Sequence, residues 1–417
     1  MAAYEAARLS RVFNQRCPRR FPLAIVKPTT ENEVVTAVKL AIQHKMRIAT
    51  RAGGHSFPVW SLHDNSILID FGDFKVLEVD ERNCIAQVSP GVTSKELNDF
   101  LIEKHGMMFP GGHCPDVGLG GFLLQGGMGW NCRNWGWACE SVDAVEVITM
   151  QGEPIICSAQ QNKDLYWAAR GAGPAFPAVV SKFHLKLRPY PKNGFRSSGY
   201  IYPCGLYRQA FSWALRITAT LDRDTEITAT PEDAEAALWP VQETRPAGTL
   251  SEWYCREDNL GNLYDKQAKA NPKGHRYHTD NAYVQNGADV VAVLEEAFLS
   301  LPPGKSFAFW SAMSPWSRGD LPDMALSMQS DHYFAIYAVW DDAKDDERYR
   351  SWVQKVMRKI ENHSVGTYLG DSDLQKADAR YWANINTARL IEICEKWDPE
   401  GLMCRYKASC TELELRN

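Results

Sequence analysis

Two glycine-rich stretches, Arg51-Ala-Gly-Gly-His-Ser56 and Gly111-Gly-His-Cys-Pro-Asp-Val-Gly-Leu-Gly-Gly121, decide the fold of this chain of 417 residues. Each stretch places a nucleophilic side chain close to a pair of glycines, His55 in the first and Cys114 in the second. Glycine has no side chain, so it lets backbone N–H groups approach an anionic ligand closely. The pattern therefore predicts loops that bind an anionic ligand beside two reactive side chains.

A ligand with a pyrophosphate at one end and an electrophilic ring at the other would use both features. Flavin adenine dinucleotide (FAD) is such a ligand, and imidazole nitrogen and thiolate sulfur are the nucleophiles suited to attack its ring. A nicotinamide dinucleotide site fits less well. Gly118-Leu-Gly-Gly121 follows no clear β-branched strand, and no acidic residue stands at a strand end about 20 positions later.

A third stretch, Asp164-Leu-Tyr-Trp-Ala-Ala-Arg-Gly-Ala-Gly173, completes a set of three motifs in order. On these motifs the chain resembles the FAD-linked oxidases of the vanillyl-alcohol oxidase superfamily, with a PCMH-type FAD-binding domain, and within it the berberine-bridge-enzyme-like branch. The resemblance implies covalent FAD, with His55 bonded to the flavin 8α-methyl and Cys114 to flavin C6. Pro177 and Gln125 depart from the family, since relatives often carry glycine at both places.

The resemblance also implies which other residues contact the cofactor. The first loop wraps the pyrophosphate through backbone N–H groups, with the Ser56 hydroxyl as a further donor. No metal is expected. The complete set of expected cofactor-binding residues is His55, Cys114, Arg51, Ala52, Gly53, Gly54, Ser56, Val117, Gly118, Gly120, Gly121, Gly126, Gly127, Val147, Asn384 and Asn386.

Composition argues against several classes of protein. The net charge is −5, from 46 basic and 51 acidic residues without a basic stripe, which argues against nucleic acid as a partner. No apolar run approaches the roughly 18 residues that span a bilayer. The first residues contain no apolar segment typical of a secretory signal, so we expect a cytoplasmic protein. Eleven cysteines without a C-x-x-C pair indicate mostly reduced thiols and no zinc site.

Hydrophobic periodicity predicts an α+β fold with many short strands. Thr30 with Glu33, and Thr93 with Glu96, have the spacing of capping boxes and predict two amphipathic helices, the first over 28–46. The segments with the pattern of strands are 48–50, 67–70, 85–88, 145–150, 183–187 and 333–340, and further helices are expected over 290–299 and 388–396.

Three parts of the chain are expected. Residues 1–190 form the FAD-binding domain, and the Pro189-Tyr-Pro191 stretch punctuates its end. The resemblance implies that residues 191–375 form a substrate-binding domain, an antiparallel sheet with helices that covers the flavin ring. Residues 376–417 return to the FAD domain. The middle part is rich in aromatic residues, which suit a pocket for planar or apolar substrates but are also typical of a core.

The family's usual reaction takes a hydride from a carbon that bears OH or NH onto flavin N5, while a base takes the O–H or N–H proton. Reduced flavin then passes its electrons to O2 and gives hydrogen peroxide. Val117 favours the oxidase, because in relatives a valine at this position leaves room for oxygen, whereas leucine marks dehydrogenases. The expected partners are a small-molecule substrate and O2; the oligomeric state is left open.

The catalytic base is the least determined part of the site. Tyr337 is the first candidate and Tyr381 the second, although a tyrosine with its usual pKa of about 10 needs activation by positive charge. Tyr337 is also compatible with a core aromatic, and Asn386 with a helix N-cap. Asp341 and Asp342 follow the strand of Tyr337 and are expected at its exposed end.

Three other functions remain open. The first is an FAD-dependent dehydrogenase with an acceptor other than oxygen. The second is a flavoprotein cyclase of secondary metabolism that acts without net redox turnover, which the lack of a clear acidic base in the middle part keeps open. The third is a binding or structural protein with no flavin.

Overall fold

The computed structural model describes residues 2–220, 230–374 and 379–406. Helices and strands are both found throughout the chain. The helices are α1 (Ala2–Leu9), α2 (Glu31–Gln43), α3 (Ser94–His105), α4 (Leu119–Leu124), α5 (Cys132–Trp135), α6 (Lys163–Ala168), α7 (Tyr207–Thr220), α8 (Pro231–Thr244), α9 (Leu260–Ala270), α10 (Val290–Leu299), α11 (Asp346–Glu361) and α12 (Asn384–Trp397).

The strands are mostly short, as the sequence predicts. They are β1 (Ala24–Val26), β2 (Arg47–Arg51), β3 (Ser66–Asp70), β4 (Leu77–Asp80), β5 (Ile85–Val88), β6 (Met107–Met108), β7 (Val142–Ile148), β8 (Pro154–Ser158), β9 (Val179–Lys186), β10 (Arg188–Pro189), β11 (Phe195–Ile201), β12 (Ser251–Asp258), β13 (Arg276–Val284), β14 (Phe307–Ala312), β15 (His332–Trp340) and β16 (Ser364–Gly366).

Two sheets contain most of the strands in the first part of the fold, and β6 and β10 form a third, two-stranded sheet. A parallel sheet has the order β1-β3-β2, and an antiparallel sheet has the order β4-β5-β9-β7-β8. Helix α2 packs Val34, Val38 and Ala41 against the parallel sheet. Both predicted capping boxes are confirmed at Thr30 and Thr93, although α2 is shorter than the predicted 28–46 because it begins directly after its cap.

A second antiparallel sheet, with the order β14-β15-β13-β16, forms the middle part. Side chains alternate along β15, so Phe334, Ile336 and Ala338 pack against helices α10 and α11. Tyr333 and Tyr337 lie on the opposite face, which looks toward the first part of the chain. This alternation gives the sheet an apolar face for its helices and a tyrosine-bearing face for a site.

The C-terminal segment returns to the first part. Ile48 of β2 donates its N–H to Leu402 and accepts a hydrogen bond from the N–H of Cys404, each at 2.7 Å. The α+β class is confirmed. The predicted boundary at 190/191 falls between β10 and β11, and the one at 375/376 lies outside the described residues, so the three-part division stays a prediction. Among the described helices, none is both long and apolar enough to cross a membrane.

Candidate active site

A cavity of about 480 Å³ separates the glycine loops from the tyrosine-bearing face of the second sheet. It brings together many residues that the sequence places far apart. Among the predicted cofactor-binding residues, those that line it are Arg51, Ala52, Gly53, Gly54, His55, Ser56, Cys114, Val117, Gly118, Gly120 and Gly121.

The two glycine loops meet through their backbones. A Cβ on Gly53 would lie 2.4 Å from the Gly118 nitrogen, and a Cβ on Gly118 would lie 2.3 Å from the Gly53 nitrogen. These distances are too short for any side chain, so both positions require glycine for the loops to touch. Gly121 has open space where a Cβ would stand and lines the cavity, so a ligand can approach its backbone.

The Arg51 side chain supports the loop from behind. Its guanidinium is fully buried and donates to Asp70, at 2.6 Å from Nη2 to Oδ2, and to the Ala7 and Arg8 carbonyl oxygens. Burial, and to a smaller extent the charge of neighbouring Arg11, lowers the pKa of Arg51 to about 10. Only the main chain of Arg51 is therefore placed to contact a cofactor, which agrees with the backbone role expected for this loop.

His55 lies in the turn after β2 with its side chain 9% exposed. Its Nε2 has no hydrogen-bond partner among the described residues and lies 3.6 Å from Asp116 Oδ1. Burial lowers the pKa of His55, while the charge of Asp116 opposes that shift. The ring is therefore held neutral, which is the form of imidazole that acts as a nucleophile.

Cys114 lines the cavity opposite the end of α9. The amide nitrogens of Asn271 and Gln267 lie 3.7 and 4.0 Å from its Sγ. Burial raises the pKa of the Cys114 thiol to about 12, and the carboxylates of Asp116 and Asp371 add to the shift. Burial therefore stabilises the thiol, the less reactive form, at this position.

Asp371 is the residue that the sequence analysis missed. It lines the cavity beside Tyr337, and its Oδ2 accepts a hydrogen bond of 2.5 Å from the Tyr333 hydroxyl. Burial raises the pKa of Asp371, and the interactions of its carboxyl with the two tyrosines oppose the shift. A carboxyl group with a raised pKa in a cavity is a candidate general base.

Tyr337 lines the cavity as predicted, but its surroundings do not make it a base. Burial raises its pKa well above the usual value, and the nearby carboxyl of Asp371 raises it further. The prediction required a positive charge near Tyr337 to lower this pKa. The structure instead places a carboxyl group there. Its ring also stacks on Phe307, with ring centroids 4.5 Å apart. Tyr337 is therefore suited to donate a hydrogen bond.

Three further predicted cofactor contacts do not line the cavity. Val147 is fully buried in β7, where its side chain packs in the core of the five-stranded sheet. Gly126 and Gly127 have positive φ values of 108° and 80° and form a turn behind the cavity. The Gly127 N–H donates to the Tyr368 hydroxyl at 3.2 Å, so this turn supports a residue that does line the cavity.

The candidates near the C-terminus also lie outside the cavity. The Tyr381 hydroxyl hydrogen bonds to Ser372 Oγ at 2.6 Å, so it braces the loop of Asp371. Asn384 is exposed. Asn386 donates to the Met324 carbonyl oxygen at 3.0 Å. Helix α12 begins at Asn384 after Ala383 as the N-cap, so Asn386 is not a cap either.

These observations fit FAD. The loops are in close backbone contact at Gly53 and Gly118, the cavity is continuous between them and the second sheet, and an imidazole nitrogen without a hydrogen-bond partner among the described residues lies beside it. Among the described residues, no group of three or more His, Cys, Asp or Glu side chains could hold a metal ion. The residues that would hold FAD are the two loops with His55 and Cys114, and the second sheet would face its ring.

Comparison with known proteins agrees with this site. Residues 22–158 match the FAD binding domain family. The chain is 39% identical to FAD-linked oxidoreductase ptmO of Penicillium ochrochloron, over 99% of this chain and 94% of the relative. It is 37% identical to FAD-linked oxidoreductase nodO of Hypoxylon pulicicidum, over 95% of this chain and 93% of the relative. The chain belongs to the FAD-linked oxidoreductases and is an FAD-dependent enzyme of that family.

Solved structures show the same fold at low sequence identity. A carbohydrate oxidase from Microdochium nivale superposes with a TM-score of 0.82 at 19% identity, covering 99% of this chain and 96% of the other. BBE-like 1 of Physcomitrella patens has a TM-score of 0.78 at 20% identity, covering 100% and 96%. The fold is therefore that of the PCMH-type oxidases and of the berberine-bridge-enzyme-like proteins, as expected.

Proposed function

We propose that this enzyme is an oxidase that takes a hydride from a small-molecule alcohol or amine onto bicovalently bound FAD and passes the electrons to O2, giving hydrogen peroxide. The observation that carries the proposal is the shared cavity. His55 and Cys114 line one wall, and Asp371, a carboxyl group with a raised pKa, lines the same space.

In this proposal FAD supplies the hydride acceptor, and the chain supplies its attachment and the proton chemistry. His55 and Cys114 hold the benzenoid edge of the ring from two loops that are in backbone contact through Gly53 and Gly118. Two attachment points fix the ring in both position and rotation. The catalytic groups can then act at a defined distance from the reacting atom.

Asp371 is the proposed proton acceptor. Its carboxylate takes the O–H or N–H proton of the substrate as the hydride leaves, while the Tyr333 hydroxyl donates to it. This hydrogen bond stabilises the ionised form, whereas burial favours the protonated one. Burial is the larger effect and raises the pKa of Asp371, and a carboxylate of raised pKa accepts a proton more readily than an ordinary one.

The walls around Asp371 favour an uncharged, largely apolar substrate. Phe57, Phe307 and Phe309 line this part of the cavity. Arg51 contributes no positive charge to it, because its guanidinium pairs with Asp70. Aromatic faces pack well on planar or apolar molecules, and an anionic substrate would face Asp371 without a compensating cation. Relatives such as those in Penicillium suggest a role in secondary metabolism.

Asp371 also weakens the case for a cyclase without net redox turnover. That alternative depended on the lack of an acidic base facing the site, and Asp371 lines the cavity. Val117 favours the oxidase over a dehydrogenase. It lines the cavity beside Cys114 and leaves the volume of one methylene group that a leucine would fill.

The test begins with the absorption spectrum of the purified protein before and after acid precipitation. A yellow precipitate over a colourless supernatant is expected, because covalent flavin stays with the chain. Peroxide production and O2 consumption are then measured with a panel of apolar alcohols and amines. Consumption of O2 and production of peroxide in equal amounts would support the oxidase. Turnover only with a dye or quinone acceptor would establish the dehydrogenase instead.

A further inference from the structure

Phe13 stacks on the ring of His55. The two ring centroids are 3.7 Å apart and the planes are inclined by only 21°. Phe13 is 6% exposed and comes from the segment between α1 and β1, distant in sequence from both glycine loops. An aromatic ring therefore covers one face of the imidazole that is proposed to bond FAD.

Within the described part of the chain, the Nε2 atom of His55 makes no hydrogen bond that would fix the plane of this imidazole. A reactive histidine is usually oriented by a hydrogen bond to its second nitrogen. His55 Nε2 has no hydrogen-bond partner among the described residues, and Asp116 Oδ1 at 3.6 Å is beyond hydrogen-bond distance. Phe57 meets the ring only edge-on, at 83° and with the centroids 6.1 Å apart. The ring of Phe13 is nearly parallel to the imidazole ring of His55, so this stacking contact can define the plane of the imidazole.

Phe13 is itself held firmly. Its N–H donates to the Gly54 carbonyl oxygen at 3.2 Å, directly before His55. The next residue, Asn14, is fully buried and donates its side-chain amide to the carbonyl oxygens of Phe57 and Tyr277, at 2.7 and 3.0 Å. Its Oδ1 accepts from the Tyr277 N–H at 2.9 Å. The ring of Phe13 is therefore fixed relative to the turn that carries His55.

We propose that Phe13 is the positioning residue for attachment of FAD to His55. Its ring fixes the plane of the imidazole and excludes water from one face, so that the nitrogen meets the flavin methyl carbon in a reactive orientation. The inference rests on the proposed function, since it requires the bond between His55 and FAD. It gives the segment between α1 and β1 a role in forming the bond between His55 and FAD, but not in forming the bond between Cys114 and FAD.

The chemistry of that bond balances with O2 as the oxidant. The imidazole gives up its N–H proton and forms an N–C bond to the flavin methyl carbon, which gives up one proton. The two electrons released pass through the flavin ring to O2, and with the two protons they yield hydrogen peroxide. Phe13 takes no part in these transfers, so it is not a catalytic residue.

The experiment isolates the histidine bond by working in the Cys114→Ala background. Phe13→Leu keeps an apolar side chain but removes the ring, and Phe13→Tyr keeps the ring. Phe74→Leu is the matched control, because Phe74 is 4% exposed, packs in another cluster and does not line the cavity. Each protein is purified with its flavin, precipitated with acid and read for flavin absorbance in the precipitate.

We expect the Phe13→Leu, Cys114→Ala protein to keep less than about a tenth of the covalent flavin of Cys114→Ala, since a misplacement of about 1 Å slows a reaction about 100-fold. Phe13→Tyr and Phe74→Leu should retain it. In the His55→Ala background, Phe13→Leu should leave the flavin attached through Cys114. Thermal unfolding of each variant shows that the chains compared are folded.

Retention of full covalent flavin by Phe13→Leu in the Cys114→Ala background would overturn the inference. So would equal loss with Phe13→Tyr or Phe74→Leu, because a general loss of packing would then account for the effect. Failure of the proposed function has a different signature: Cys114→Ala alone would release its flavin on precipitation, before any change at Phe13. That result removes the histidine bond itself and the inference with it.

Discussion

The two walls of the cavity are built by different means. The wall of the glycine loops is a backbone structure, in which Gly53 and Gly118 touch because neither has a side chain. The opposite wall is a side-chain structure, in which Tyr333, Tyr337 and Asp371 meet from a strand and a distant loop. This difference indicates that the first wall is suited to hold a cofactor and the second wall to act on a substrate. The two roles should therefore be separable by mutation.

The largest expected effect concerns attachment at the glycine wall. The double variant His55→Ala, Cys114→Ala should release all of its flavin on acid precipitation, because both bonds are removed. Each single variant should keep the flavin on the precipitate through the other bond. Flavin absorbance of precipitate and supernatant measures this. Release from either single variant would show that only one bond forms.

The second effect separates the two walls. Asp371→Asn should slow anaerobic flavin reduction by substrate about 10²–10⁴-fold, the usual contribution of a general base. Covalent flavin should remain unchanged, because Asp371 is not part of the glycine wall. Stopped-flow absorbance measures reduction, and acid precipitation measures attachment. Normal reduction by Asp371→Asn would remove Asp371 from the base role.

A third effect compares the two nucleophiles within the glycine wall. Burial lowers the pKa of His55 and raises that of Cys114 to about 12, so the same environment favours one nucleophile and disfavours the other. The reactive form of a thiol is the thiolate, whose fraction rises about tenfold per pH unit below the pKa.

This contrast is measured with apoprotein from riboflavin-starved cells. In His55→Ala, attachment of added FAD through Cys114 should accelerate about tenfold per pH unit between neutral pH and the thiol pKa. In Cys114→Ala, attachment through His55 should change little over the same range, because the imidazole is already neutral there. A flat profile for the cysteine bond would mean that cofactor binding itself removes the effect of burial on the thiol.

Val117 tests whether the glycine wall also admits oxygen. Val117→Leu adds one methylene group to the wall of the cavity, and a barrier to oxygen access raised by about 1.4 kcal/mol would correspond to roughly tenfold in rate. Reoxidation of the reduced flavin by O2 should slow by about that factor, whereas anaerobic reduction should not change. If the variant reoxidises as fast as the original protein, Val117 does not control access of oxygen.

The smallest effect concerns the hydrogen bond to the proposed base. The Tyr333 hydroxyl donates to Asp371 and lowers the pKa of that carboxyl, so Tyr333→Phe should raise it. A base must be ionised, so flavin reduction increases as pH rises through this pKa, and the acid limb of the profile should move to higher pH. A shift to lower pH would contradict the assigned direction of the hydrogen bond.

The sequence predicts the glycine wall well because that wall depends on local features. Glycine spacing, a histidine and a cysteine are visible in short stretches, and the residues of both loops line the cavity. The capping boxes at Thr30 and Thr93 are equally local, and both are present in the structure, each followed directly by its helix. Such features depend on neighbours in sequence, so no knowledge of the tertiary fold is needed.

The sheet wall could not be predicted in the same way. Asp371 lies in a loop after β16, in a stretch without helix or strand periodicity, and reaches Tyr333 only through the tertiary fold. The sequence did place Tyr337 on a strand, but the alternation along β15 does not say which face meets a cavity. Tyr381 is the second candidate for the base in the sequence, but its hydroxyl forms a hydrogen bond with Ser372 instead.

The pairing of Ile48 with Leu402 and Cys404 has a consequence for biosynthesis. The strand that leads into the His55 turn is completed by residues about 350 positions further along the chain. A ribosome must therefore translate past residue 404 before this strand has its last neighbour. FAD is expected to be captured only after that segment has left the ribosome, and a chain truncated before residue 402 should be produced without covalent flavin.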